Sequence, residues 1–216
     1  MDLREVIRTP NLVSLSRILS APVVVYFLWR AEPWAAWVAC GLVVLAGITD
    51  GLDGYLARRS RQVTPLGVAL DPVADKTFAV ILVLGLILFR EFPWWLAALI
   101  VGRDLLIAGS GFYLMRRYTD LVLPSNLTGK WAFASLVVLL GAYIIRFNLS
   151  ISLMTPVTTV LLIASLINYA RVFIAVARGQ KAVPFQDTNT YRAVRLVLLT
   201  LAALAHLVMF WVEFVR

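Results

Sequence analysis

The chain has almost no cysteine or histidine: Cys40 and His206 are the single examples in 216 residues. A lone cysteine excludes a disulfide-stapled secreted domain. Charge is scarce too, at 15% of residues, and acids are the scarcer kind, 12 against 20 Lys and Arg. Soluble domains carry about 25% charged and about 45–50% apolar residues, so a chain that is 61% hydrophobic does not read as one. Disorder is excluded by the same figure, since a disordered chain needs low hydrophobicity. There is no internal repeat, no low-complexity tract and no basic run long enough for a nucleic-acid arm, so no nucleic-acid partner is expected.

What the chain does have is long apolar runs. A helical crossing takes roughly 20 apolar residues, and the pattern predicts spans over residues 11–30, 34–58, 68–89, 93–115, 129–147 and 155–177. A polar stretch, RGQKAVPFQDTNTYR, then leads to a last apolar run at 194–215, and the charged lead at 2–9 reads as a helix on the bilayer surface. The fold class is all-α, a polytopic membrane helix bundle. Loop charge alternates. Arg4, Arg8, Arg58, Arg59, Arg61, Arg116, Arg117, Lys130, Arg178, Lys181, Arg192 and Arg195 fall on one side, and Arg30, Arg90, Arg146 and Arg216 on the other. The excess of cations makes the first side cytoplasmic. His206 lies alone in the last apolar run and is assigned no role.

Against that background five carboxylates fall in or at the edge of apolar spans: Asp50, Asp53, Asp71, Asp75 and Asp104. One acid near mid-helix costs about 2.5–3.5 kcal/mol on insertion scales. Asp104 is accounted for by its neighbour Arg103. The other four are clustered, which snorkelling does not explain. Asp50 and Asp53 are spaced i,i+3 and Asp71 and Asp75 i,i+4, so each pair shares a helix face. A short connection around Arg59–Pro65 predicts that the two helices are antiparallel neighbours whose acids form a four-carboxylate cage. A cage of oxygen donors suits Mg²⁺, Mn²⁺ or Ca²⁺ and not zinc or copper. Gly54, Ala57 and Gly67 leave space on the acidic faces. They serve either as helix packing contacts or as the wall of a groove for a phosphorylated group. Carboxylates, a dication and a phosphate together imply phosphoryl or phosphodiester chemistry, with a carboxylate available to deprotonate an attacking hydroxyl.

The run Asp50-Gly51-Leu52-Asp53-Gly54-Tyr55-Leu56-Ala57-Arg58, eight residues, then Gly67-Val68-Ala69-Leu70-Asp71-Pro72-Val73-Ala74-Asp75 resembles the signature of the CDP-alcohol phosphatidyltransferase family, D-x2-D-G-x2-A-R-x8-G-x3-D-x3-D. All eight fixed positions match in type and spacing. Asn11–Arg17 and Gly129-Lys130 are similar to two further segments of that family, and the resemblance covers residues 8–178. It implies a six-span membrane domain over 1–178, followed here by a polar linker and an additional C-terminal apolar helix over 179–216. It implies that Asp50, Asp53 and Asp71 hold Mg²⁺ or Mn²⁺, that Asp75 contributes to a second metal position and serves as general base, and that Gly54, Ala57, Arg58 and Gly67 line the CDP site. It implies transfer of a phosphatidyl group from CDP-diacylglycerol to an alcohol with release of CMP. It also implies a homodimer in the bilayer, in a bacterial inner membrane, with its site facing the cytoplasm.

The acceptor is less constrained. An anionic alcohol such as glycerol 3-phosphate needs cations near the acids, and Arg17, Arg103, Lys130 and Arg171 are the candidates, each with pairing to a carboxylate or a lipid phosphate as the alternative. Asp71–Lys76 and Arg103-Asp104 resemble the phosphatidylglycerophosphate synthase and cardiolipin synthase branch. Glycerol 3-phosphate is the expected acceptor, with phosphatidylglycerol as the alternative. A cation-coupled transporter is the reading from another class, because intramembrane acids mark both. Transporters, however, show repeats and broken helices at the midplane, and this chain shows no repeat. An inactive scaffold that keeps the motif is a third reading.

Overall fold

The structure is a computed structural model that describes the backbone of residues 9–30, 32–60, 65–117 and 127–178, and the side chains of 16–30, 32–49, 74–114, 116 and 127–178. These residues form six helices and, among them, no strand: α1 Thr9–Trp29, α2 Pro33–Ser60, α3 Pro65–Arg90, α4 Trp94–Arg117, α5 Leu127–Ile145 and α6 Asn148–Ala177. The surface helix expected at 2–9, apart from Thr9, and the apolar run at 194–215 lie outside the described residues.

Two helix starts follow from proline. Pro33 and Pro65 are the first residues of α2 and α3, where a fixed φ fits the helix and the missing N–H costs nothing. Two reversals use a left-handed residue that is not glycine: Glu91 and Arg146 both have φ 57°. After α5, the N–H of Phe147 returns to the carbonyl of Ala142 at 2.9 Å and that of Arg146 to Tyr143 at 3.4 Å, the paired bonds that close a helix end in this way. The reversal is therefore tight, and α6 begins at Asn148 instead of near the expected 155. It runs through Pro156, with Thr155 and Thr159 donating their hydroxyls back to Ile151 O and Thr155 O at 2.7 and 2.8 Å.

The helices group into two units, divided between Trp94 and Trp95. In the first, α1 packs against both α3 and α2. Its buried stripe, Arg17, Ala21, Val24 and Leu28, has helical spacing, and Ala74, Phe78, Leu82 and Leu86 form the corresponding stripe of α3. Gly85 lets α3 approach closely: a Cβ there would lie 2.9 Å from Val25 Cγ2. In the second unit α5 packs on α6 through small residues, Gly129, Ala132, Ser135 and Ala142 facing Ser150, Thr158 and Ser165. Small residues are what membrane helices use to pack closely.

Outside these seams the apolar side chains point away from the protein, Leu88 at 71% and Trp94 at 73% exposure among them. Among the described residues three helices are long and apolar enough to cross a membrane, Trp94–Leu114, Leu127–Ile145 and Asn148–Ala177, and α1 and α2 contribute shorter apolar stretches, Ser16–Trp29 and Pro33–Thr49. Trp29, Trp34, Trp94 and Trp95 sit at helix ends and are exposed, the position tryptophan takes at a bilayer interface. The molecule is an integral membrane protein whose described residues are helical apart from short connections.

Candidate active site

All eight signature positions fall on helix. Asp50, Asp53, Gly54, Ala57 and Arg58 lie in the C-terminal third of α2, and Gly67, Asp71 and Asp75 in the N-terminal half of α3. The i,i+3 and i,i+4 spacings are therefore true helical registers. The side chains of Asp50, Asp53, Gly54, Ala57, Arg58, Gly67 and Asp71 lie outside the described residues, so the four-carboxylate cage remains an expectation drawn from the sequence. Asp75 is the acid of the motif whose side chain is described.

Asp75 is held from α1. Arg17 Nη1 donates to Asp75 Oδ1. The two side chains differ in access: Arg17 is 7% exposed and Asp75 49%. The guanidinium lies behind the carboxylate on the packed face of α1, and the carboxylate keeps a face open. A buried arginine needs such a partner, because a charge taken out of water without one costs several kcal/mol. Arg17 was expected as an acceptor or phosphate contact; the structure places it on the motif itself.

The other three candidate cations lie in the second unit. Arg103 of α4 is enclosed. Its Nε and Nη2 donate to Ser165 Oγ of α6 at 3.2 and 3.0 Å, and its Nη1 to Asp104 Oδ1 at 2.8 Å. Its guanidinium carbon lies 5.9 Å from the centre of the Tyr169 ring. The pairing of Arg103 with Asp104 is the one expected from their adjacency. Gly129, at the start of α5, abuts this group: a Cβ there would lie 3.3 Å from Tyr169 Oη and 3.4 Å from Arg103 Nη2. One residue earlier, Thr128 Oγ1 accepts from Asn168 Nδ2 at 3.0 Å. Lys130 follows in the first turn of α5, half-buried, and Arg171 is exposed on α6. Ser165, Asn168 and Tyr169 were not singled out from the sequence. Their signal was available: three polar groups at i, i+3 and i+4 on one face of a largely apolar span.

A groove of about 400 Å³ opens between α4 and α6, with Leu106, Gly109, Tyr113, Leu166, Ala170 and Phe173 among its lining residues. It is apolar and carries no cluster of charged groups.

The sequence model of the CDP-alcohol phosphatidyltransferase family matches residues 7–177 of this chain. A CDP-diacylglycerol–glycerol-3-phosphate 3-phosphatidyltransferase of Cereibacter sphaeroides is 40% identical over 104 residues, 46% of this chain and 47% of that protein. A cardiolipin synthase (CMP-forming) / mitochondrial hydrolase fusion protein of Schizosaccharomyces pombe is 38% identical over 158 residues, 66% of this chain and 26% of that protein. The chain thus spans about half or less of the length of these relatives. A third, the CDP-diacylglycerol–glycerol-3-phosphate 3-phosphatidyltransferase of Aquifex aeolicus, is 32% identical over 170 residues, 74% of this chain and 92% of that protein. With the family match covering most of the chain and the signature unbroken on two consecutive helices, this protein belongs to the CDP-alcohol phosphatidyltransferase family.

Proposed function

We propose that the protein transfers the phosphatidyl group of CDP-diacylglycerol to glycerol 3-phosphate and releases CMP. The observation that carries this reading is the complete set of signature positions on helical registers of α2 and α3, with Asp75 anchored and partly open. The reading of the acceptor is supported by the near full-length alignment with the Aquifex aeolicus relative. A six-span arrangement, a homodimer and a bacterial inner membrane with the site on the cytoplasmic face belong to the same proposal.

The donor set fits a hard dication: carboxylate oxygens only, no soft or nitrogen ligand in the motif. Asp50, Asp53, Asp71 and Asp75 would hold Mg²⁺ or Mn²⁺, which when bound neutralises charge on the diphosphate as CMP leaves. Gly54, Ala57 and Gly67 leave room for the CDP group, with Arg58 beside it. The acceptor oxygen forms a bond to the β-phosphorus, the bond from that phosphorus to the CMP oxygen breaks, and the hydroxyl proton passes to Asp75. Arg171, exposed on α6, and Lys130, half-buried at the start of α5, are the cations proposed to meet an anionic acceptor. Arg103 is less available, because Ser165 and Asp104 take up its nitrogens.

A second reading, a cardiolipin synthase with phosphatidylglycerol as acceptor, is favoured by the alignment with the fission-yeast fusion protein. Purified protein in detergent with Mg²⁺ and CDP-diacylglycerol, offered glycerol 3-phosphate, phosphatidylglycerol, inositol phosphate or serine, separates them. Release of CMP with glycerol 3-phosphate is the expected result. Release with phosphatidylglycerol alone transfers the assignment to the second reading, and release with none refutes both.

A further inference from the structure

Arg17 is an unusual residue to find in the seam between α1 and α3. It occupies the first position of a stripe otherwise made of Ala21, Val24 and Leu28. Its backbone carbonyl accepts from Ser20 Oγ at 2.8 Å within the helix, and its guanidinium reaches across to α3. There it meets one of the four acids of the signature from the buried side, while the open side of that acid faces away from it. A guanidinium that is 7% exposed is poorly placed to receive a soluble anion. It is well placed to supply fixed positive charge to the carboxylates.

We propose that Arg17 is a built-in counter-cation of the acidic site, which neutralises Asp75 when no divalent ion is bound and lowers the affinity of the site for that ion. The inference rests on the metal reading given above. On that reading four ionised carboxylates gathered from two helices would repel one another, and an ion-free site would need a compensating charge. Arg17 offsets one of the four negative charges permanently, so the site assembles before the ion arrives. The same fixed charge repels a dication and holds an oxygen the ion could use. Its two effects therefore have opposite signs: it stabilises the ion-free protein and weakens ion binding. A salt bridge that only fastens α1 to α3 has no such signature, because losing it would destabilise the protein with or without the ion.

The test uses the full-length protein in detergent, Mn²⁺ as the probe, thermal unfolding in chelator and in saturating Mn²⁺, and a Mn²⁺ titration followed by electron paramagnetic resonance. Arg17→Gln is expected to lower the unfolding temperature in chelator, to recover most of that loss with Mn²⁺, and to bind Mn²⁺ on the order of tenfold more tightly, the effect of removing one nearby like charge. Arg17→Lys keeps the charge and is expected to match the wild type in both readouts. An Arg17→Gln protein recoverable only with Mn²⁺ is the extreme form of the expected result. Unchanged or weaker Mn²⁺ binding by Arg17→Gln, or equal destabilisation in chelator and in Mn²⁺, overturns the inference and leaves the metal reading intact. The inference also falls if the variant is recovered under neither condition. Absence of Mn²⁺ binding by the wild type removes the metal reading itself, and the inference with it.

Discussion

The α1–α3 unit buries Arg17 at 7% exposure and the α4–α6 unit partly encloses Arg103 at 13%, and each sets its arginine beside a half-exposed aspartate. In the first, the ion pair is also the link between helices: Arg17 and Asp75 are 58 residues apart and belong to α1 and α3. In the second, the ion pair is local, between neighbours 103 and 104 on α4, and the link to α6 is made by the neutral hydroxyl of Ser165. The difference decides what each unit responds to. A bond between charges on different helices responds to anything that changes the charge nearby, an ion or a nucleotide diphosphate included. A guanidinium closed off by a hydroxyl, a ring and its own neighbour is a fixed part of the packing. On the proposed function, the first unit is the one expected to respond to ligand charge.

The comparison predicts its largest effect at Asp75. Asp75→Asn keeps the shape and an acceptor for Arg17 but cannot take a proton from the acceptor alcohol. CMP release is expected to fall by roughly 10²–10⁴-fold, the usual contribution of a positioned base, while binding of the CDP-lipid persists. A radiolabelled CMP-release assay beside an equilibrium binding measurement reads both, and full turnover by this variant would contradict the role given to Asp75.

Ser165→Ala sharpens the other side. It removes the acceptor of both Arg103 Nε and Nη2 in one step. Loss of a bond to a charged donor costs about 1.5–3 kcal/mol, and thermal unfolding should show a loss of that size. The drop should be the same in chelator and in Mn²⁺, in contrast to the behaviour expected of Arg17→Gln. A drop that Mn²⁺ repairs would mean that Arg103 too belongs to the ion site.

What could be read in the sequence was what is local along the chain. α2 opens at Pro33, one residue before the expected span at 34–58, and the Asp50–Asp75 signature needs only spacing to be recognised. Arg103 and Asp104 are adjacent, so their pairing was visible as well. The partners of Arg17 and of Ser165 were not, because separations of 58 and 62 residues carry no periodic signal. The start of α6 was misplaced for a different reason. The turn before it puts Arg146 at φ 57°, a conformation that glycine usually supplies, and without glycine nothing marks a sharp reversal there. Pro156, one residue past the expected start at 155, is an interior residue of α6.

The smallest effects distinguish the two seams by how readily their neighbours give way. A Cβ at position 85 would lie 2.9 Å from Val25 Cγ2 and 3.3 Å from Leu28 Cδ1. Valine in a helix has essentially one χ1 rotamer, so Val25 cannot turn aside and α1 must shift. Gly85→Ala should therefore cost about 1–3 kcal/mol, as overpacking does, reduced by up to about 1 kcal/mol that alanine gains over glycine inside a helix. At position 129 the new methyl would meet Tyr169 Oη at 3.3 Å and Arg103 Nη2 at 3.4 Å, the far ends of long side chains that move a few tenths of an ångström at little cost. Alanine also gains up to about 1 kcal/mol over glycine inside a helix, which offsets most of that contact, so Gly129→Ala should leave the unfolding temperature nearly unchanged. If Gly129→Ala proves the more destabilising of the two, Arg103 and Tyr169 are held more rigidly than their flexible stems suggest, and the second unit is the stiffer seam.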